Sequence, residues 1–455
     1  MKLTKLSLVA ALLIGSSAFA IENTKVSGDV KLYYGTMDSD NGTYLGNSTS
    51  FGDDEGAYGN AAVNLGLTTD LSEGVSAGVN ATYVTTLGLE NNLVDNTWSN
   101  SHTVTSNNSA TFAGGAQLDD AFYIGELWLA GTAFDTTLKV GRQALDTPLA
   151  FTETWGIDQN TFEAAVLINQ SIPDTTIVAT YVGKSNGSSD DLNSTGGTSA
   201  NGLNAVAGYA TAAQAGYLAQ GGDFNTFGTD GVYVAGVINN SIKPLTVQAW
   251  YYNLVEMADA YWLQADLNMD GILAGAQYTV VDADKTVAGV DEDKAYALML
   301  GYEMKDTVTL KVAYSSVNDK GAIGVANVAT GNSTADGRNG SGAKSKLYTE
   351  LWWGYGNVST TGADSYSLTA EATVGPEIDL FAGYYFVDVD PKTLLNAAAT
   401  DDDRREVTEI ALVVSKSFGP LDTSLAYIYD DVDEKLSTND DTTTQHLQVY
   451  LTYNF

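Results

Sequence analysis

Strict alternation of apolar and polar residues is the feature that most limits what this chain can fold into. The C-terminus shows it most cleanly. Leu447, Val449, Leu451, Tyr453 and Phe455 fall on one face of an extended strand, and Gln448, Tyr450, Thr452 and Asn454 on the other. Side chains in a strand point to opposite faces in turn, so such a segment has one apolar surface and one polar surface. The pattern recurs along the chain. Val26, Gly28, Val30, Leu32 and Tyr34 alternate with Ser27, Asp29, Lys31 and Tyr33, and Val75, Ala77, Val79, Ala81 and Tyr83 with Ser76, Asn80 and Thr82. Val308, Leu310, Val312 and Tyr314 stand against Thr309, Lys311 and Ser315, and Leu368, Ala370, Ala372 and Val374 against Ser367, Thr369 and Glu371. A water-soluble sandwich also alternates, so the connections have to decide between the two.

Short and long connections take turns. The short ones fall at 70–74, 131–135, 170–174, 239–244, 269–271, 305–306, 375–377 and 418–420, and nearly all hold Gly, Pro, Asn or Asp, the residues that supply tight-turn backbone angles. Between them lie polar stretches at 35–57, 89–117, 146–161, 185–229, 282–294, 316–364, 389–405 and 430–442. Short turns on one rim and long loops on the other predict an all-β fold: a closed transmembrane antiparallel barrel of about 18 strands. The connection at 255–258 is short where a long one is due, which puts the pairing of that hairpin in question. The Ala-rich stretch 205–220 reads as a short helix. Residues 347–356, with adjacent Trp352 and Trp353, read either as an extra hairpin arm or as a loop packed into the bore. Tyr34, Tyr83, Tyr181, Tyr314, Tyr384, Tyr427, Tyr429 and Tyr453 sit near strand ends on the apolar face, where amphipathic rings form girdles at the membrane boundary.

Composition removes several alternatives. A formal charge of −35, from 21 Lys+Arg against 56 Asp+Glu, argues against nucleic acid as a partner, because phosphate contacts need clustered cations. The chain has no Cys and two His, so it lacks thiolate chemistry and is poorly supplied with imidazole bases. Catalysis is not expected. Residues 1–20 carry Lys2 and Lys5, an apolar run, and Ala18-Phe19-Ala20, the layout of an export signal peptide. The remaining residues, 21–455, are expected to form the barrel domain. No later segment is apolar over the length a membrane helix needs, about 18 residues.

The start MKLTKLSLVAALLIGSSAFA, the central GRQALDTPLAFTETWGID, the segment LTVQAWYYNLVEMADAYWLQADLNMDGILAGAQYTV and the end HLQVYLTYNF resemble the major outer-membrane porins of Campylobacter and related epsilonproteobacteria. The final Phe also resembles the terminal recognition signal of bacterial outer-membrane barrels. The family resemblance implies an 18-stranded porin, usually a homotrimer, in outer-membrane lipid, passing small hydrophilic solutes and ions. It also implies that an early long loop folds inward and narrows the bore.

The stretch 146–161 is the candidate for that constriction loop. It mixes the apolar anchors Leu149, Phe151, Trp155 and Ile157 with the carboxylates Asp146, Glu153 and Asp158. An exposed loop with a local apolar cluster is the plainer reading of the same residues. Glu126, Lys139 and Arg142 complete the constriction candidates, although alternation from Leu138 and Val140 points Arg142 outward unless it lies at the rim or beside a bulge. Lys311, Glu371 and Glu409 are lumen candidates, with Asp29 and Lys31 near the inner rim. The outer loops also hold acidic clusters at 53–55, at 282 and 284 with 291–293, at 401–403 and at 430–434. These read as solvated loops that favour cations at the mouth and hence weak cation selectivity, with loop-bound Ca²⁺ as the lesser alternative and no other cofactor. The rival reading of the whole chain is a surface β-protein or adhesin that binds ligands through its long loops.

Overall fold

The computed structural model describes residues 22–40, 50–89, 92–94, 97–98, 104–105, 121–154, 156–186, 224–226, 230–255, 258–283, 291–305, 307–321, 324–327, 344–354, 356–375, 377–390, 404–435 and 441–455. The expected leader 1–20, the expected helix 205–220, Trp155 and the acidic cluster 401–403 lie outside them.

Eighteen strands form the wall: β1 Glu22–Ser39, β2 Ala57–Ser72, β3 Val75–Thr85, β4 Ala121–Ala133, β5 Thr136–Gln143, β6 Phe162–Asn169, β7 Thr175–Ser185, β8 Val232–Asn239 and β9 Leu245–Leu254. They continue as β10 Ala258–Met269, β11 Ile272–Ala283, β12 Asp293–Met304, β13 Val308–Val317, β14 Ala363–Val374, β15 Ile378–Val389, β16 Arg404–Phe418, β17 Leu421–Lys435 and β18 Thr442–Asn454. Each pairs antiparallel with its sequence neighbours, and β1 pairs with β18 to close the barrel. Closure leaves no sheet edge in hydrocarbon, where an unpaired N–H or C=O has no water to bond. At the seam Gly28 and Phe455 exchange two backbone hydrogen bonds of 2.9 Å each. Residue 28 has to be glycine, because a Cβ there would collide with the backbone oxygen of Asn64 as well as with the Phe455 ring.

The expected short connections all fall between strands that pair with each other. The Asp270-Gly271 turn has φ of +52° and +87°, the two positive angles of a hairpin turn that matches strand twist. Phe134-Asp135 makes the same kind of turn without glycine, at +51° and +58°. The doubtful hairpin at 255–258 is correctly paired, with β9 and β10 in register from Leu245↔Leu267 to Leu254↔Ala258.

The wall is apolar outside. Leu127, Leu138, Val140, Leu298, Leu300, Val312, Leu368 and Leu412 are exposed, while their odd-and-even neighbours face inward. A chain of outward rings runs along the long-loop end: Tyr181–Tyr233 at 5.1 Å, Tyr251–Tyr261 at 5.2 Å, Tyr296–Tyr314 at 5.9 Å and Tyr314–Tyr366 at 4.9 Å between centroids. The buried cluster lies inside the barrel, where Leu149, Ile157, Leu347, Leu351, Trp353 and Val358 from inward loops pack on Tyr33, Tyr58, Val84, Tyr252 and Trp262 of the wall.

Replacing Leu300, 64% exposed on β12, by Arg should destabilise the barrel by about 2–4 kcal/mol, the cost of a cation facing mid-bilayer lipid. Thr309→Arg, which faces the lumen, should cost much less. Denaturant unfolding in lipid vesicles measures both.

Candidate functional site

Among the described residues, two segments leave the wall and cross the lumen. The first, residues 144–161, connects β5 and β6, and both of these strands have only 8 residues. The wall is low where the chain turns inward. Leu149, Ala150 and Ile157 are buried, so apolar anchoring holds the loop inside. Tyr252 on β9 is the far anchor, where Leu149 N donates to its hydroxyl at 3.1 Å. At the other end Asp158 accepts from Tyr123 Oη on β4 and from Asn64 Nδ2 on β2 at 3.4 Å, with Lys31 Nζ at 3.9 Å. Asp158 is therefore a buried anchor of the loop.

The second crossing segment is 344–362, between β13 and β14. Of the two expectations for residues 347–356, the loop packed into the bore is the one observed. Gln277 on β11 donates from Nε2 to Lys346 O at 2.8 Å and accepts from Tyr348 N at 3.2 Å. Tyr348 Oη donates to Asp266 on β10; burial and this carboxylate push its hydroxyl pKa up, so it remains a donor. Farther round the wall, Glu409 of β16 receives Trp352 N at 2.7 Å, Trp353 N at 3.2 and 3.0 Å, and Gly354 N at 2.7 Å. One carboxylate thus binds three successive backbone N–H groups, an arrangement of short, charge-assisted bonds. Trp353 then packs against His446 of β18, 4.3 Å between ring centroids.

The first segment is joined to the β13–β14 connection by Lys346 and by Asn327, whose backbone N donates to Lys344 O at 2.7 Å. Lys346 pairs with Asp146. Asn327 donates from Nδ2 to Phe151 O and to Glu153 Oε1, both at 2.8 Å, and accepts from Phe151 N at 3.3 Å. Glu153, expected to face the bore, is 2% exposed because Asn327 from the later loop covers it. Glu409, expected as a lumen charge, is likewise enclosed by the loop it holds.

Among the described residues, cavities lie around this crosspiece. One of about 870 Å³ is lined by Lys139, Asp146, Lys346, Tyr348, Trp250 and an apolar wall of Val166, Ile168 and Val178. A second, of about 700 Å³, meets Glu303, Glu371, Asp379 and Trp352 towards the short-turn rim. The third, of about 360 Å³, meets Lys31, Lys344, Trp353 and Tyr450.

The other expected residues distribute as follows. Glu126 faces inward, accepting from Trp128 Nε1 at 3.2 Å and Gln159 Nε2 at 3.4 Å, and Lys139 Nζ lies 4.2 Å over the Trp128 ring. Lys311 and Glu371 form an ion pair of 3.0 Å on β13 and β14. Lys31 stands 3.7 Å from Asp29. Arg142, expected at the constriction, occupies an outward register position opposite Leu127 and Glu163; no bulge turns it inward. Two of the acidic loop clusters also move. Asp293 is buried on β12 and accepts from Thr361 Oγ1 at 2.7 Å. Asp430, Asp431 and Asp433 lie on β17, with Asp430 buried. The reason is that β12 and β17 continue past the point where their sequence turns acidic. Among the described residues no group of three or more acidic or His side chains is placed to hold a metal ion.

No protein-family model matches the chain, and no curated protein matches its sequence. Solved structures do. Pseudomonas aeruginosa OpdQ superposes with a TM-score of 0.65 at 14% identity, over 95% of this chain and 98% of that one. Pseudomonas aeruginosa OpdL gives 0.63 at 14% identity, over 95% and 99%. Pseudomonas aeruginosa OccK8 (OprE) gives 0.63 at 13% identity, over 96% and 99%. The fold is thus the closed 18-strand antiparallel barrel of outer-membrane porins.

Removing the Glu409 side chain tests the second crossing. Glu409→Ala leaves three N–H groups without their acceptor, about 1–3 kcal/mol each where they stay buried. The segment 344–362 should come loose, and single-channel conductance should rise and become noisier, with Glu409→Gln in between. Unchanged conductance would show that the segment does not narrow the bore.

Proposed function

We propose that the protein is an outer-membrane porin, a water-filled channel through which small hydrophilic solutes and ions diffuse. The observation that carries this reading is the crosspiece: two loops, each pinned to well-separated strands of the wall and to each other, narrow a closed barrel without filling it. Filtering then depends on the width and charge of the remaining passages and not on bond chemistry. The likeness in fold to Pseudomonas aeruginosa OpdQ, OpdL and OccK8 supports the same reading. Membership of the Campylobacter-type porin family and assembly as a homotrimer are part of this proposal and rest on the sequence resemblance.

The channel is proposed to prefer cations weakly. Its support is the formal charge of −35 and the carboxylates Glu303, Glu371 and Asp379 along the lower cavity. Lys139, Lys346, Lys31 and Lys344 line the other two cavities and keep the preference small. Reconstituting the full chain in a planar bilayer under a KCl gradient tests both proposals: stepwise openings with a reversal potential favouring K⁺ are expected, and a folded barrel without openings would contradict the channel.

Glu350 makes the preference depend on pH. Desolvation within the lumen is the main cause that raises its carboxyl to about 7, against the lowering effect of hydrogen bonds from Ser345 N and Oγ. A raised carboxyl pKa stabilises the docked loop below its ordinary value of 4.5, and this contribution is lost as pH rises through about 7. Over the same interval the lumen gains a negative charge. K⁺ preference should therefore increase from acid to mildly alkaline pH in wild type, and Glu350→Gln should remove that increase in the measured reversal potential.

A further inference from the structure

We propose that Arg142 and Lys184 hold the phosphate of a phosphorylated glycolipid of the outer leaflet against the outside of the barrel. The inference rests on the reading of the chain as an outer-membrane protein and concerns the wall, not the bore.

Arg142 on β5, Glu163 on β6 and Lys184 on β7 are register partners in one row, Arg142↔Glu163↔Lys184. The row faces outward: Leu138, Val140, Leu167 and Tyr181 on the same faces of these strands are exposed. Lys184 gets there through a bulge. Tyr181 pairs with Ala165 and Val182 with Ala164, but Lys184 pairs with Glu163, so Gly183 is an extra residue and the alternation of β7 is reset above it. Without that bulge Lys184 would point into the lumen. Bulges re-aim side chains in this way.

Glu163 lies between the two cations, 3.0 Å from Arg142 Nε and 3.7 Å from Lys184 Nζ. One carboxylate offsets one of two positive charges, so the row keeps an excess cation on an otherwise strongly acidic chain. Arg142 is held in place by Ile124 O at 2.9 Å and by the Phe224 ring, 4.0 Å from its Cζ. The Lys184 side chain is 46% exposed.

The depth of the row identifies the partner. Around most of the long-loop end the outward girdle is tyrosine, but at β5 and β6 Arg142 and Glu163 take that place beside Tyr181. This is the level of headgroups in the leaflet that faces the long loops. Cations there meet lipid phosphate, which guanidinium and ammonium groups bind through charge-assisted bonds. The aliphatic residues below the row, Leu138, Val140 and Leu167, would meet the acyl chains of the same molecule.

The test uses the full chain folded into phosphatidylcholine vesicles containing bis-phosphorylated lipid A, extracted in mild detergent and read by native mass spectrometry for retained lipid. Lys184→Gln removes only a long ion pair and should still show heat-shifted gel mobility, whereas Arg142→Gln also removes a wall contact. Lys184→Gln should retain about tenfold less lipid A, and the double variant less again. Equal retention by wild type and Lys184→Gln would overturn the proposal. So would equal retention of dephosphorylated lipid A or of phosphatidylglycerol, or a change in oligomer mass with lipid retention intact, which would make the row a contact between copies of the chain. Conductance measured on the same samples separates the two readings: retention without conductance would contradict the channel, and conductance with unchanged retention would contradict the lipid site.

Discussion

The pairing of β1 with β18 is the contact on which the rest of this barrel depends. Eleven register pairs from Asp29↔Asn454 to Ser39↔Thr444 join the two ends of the chain. Without them the sheet would present two rows of unpaired backbone groups to hydrocarbon, a cost no side chain could offset. Closure also fixes what each residue means. Once the sheet is a cylinder in lipid, every second residue faces acyl chains and every other one faces the lumen, so a one-residue shift in register would exchange the two sets.

Closure creates a second problem, which the loops solve. A cylinder of 18 strands encloses more space than its own inward side chains fill. Here the excess is occupied by segments 144–161 and 344–362, which bring apolar anchors and are tied to the wall by buried polar groups. Glu409 is the most concentrated of these ties and Asp158 the second. Both are carboxylates that bind hydrogen-bond donors arriving from elsewhere in the chain. Charge in this lumen therefore does two jobs. Buried carboxylates hold the crosspiece, while the exposed Asp146 and the half-buried Lys139 and Lys346 line a passage.

Much of the fold was legible in the sequence because a barrel wall obeys a local rule. Alternation at Val75–Thr85 or Val308–Val317 depends only on adjacent residues and the two media, and turns such as Asp270-Gly271 announce themselves by residue type. The site was less legible, because its geometry is non-local. Glu153 reads as a bore carboxylate until Asn327, 174 residues away, covers it. Glu409 reads as a lumen charge until three N–H groups of a distant loop arrive. The adjacent Trp352 and Trp353 hinted at that loop, but nothing in the sequence marked Asn327, Tyr252 or Gln277 as its holders. Arg142 did carry its own signal, since alternation pointed it outward. At β12 and β17 the acidic residues looked like loop because strands that extend beyond the membrane no longer need an apolar face.

The central claim is that the inner face of this wall lines a water-filled passage while the outer face meets lipid. The chain has no cysteine, so one introduced thiol at a time reports on one face. Lys139 lines the cavity of about 870 Å³, and its neighbour Val140 is exposed on the outer wall. In single-channel recordings, a charged methanethiosulfonate added to Lys139→Cys should change the open-channel current in a step, and the same reagent should leave Val140→Cys unchanged. Equal responses at both positions, or a response only at Val140→Cys, would contradict the account.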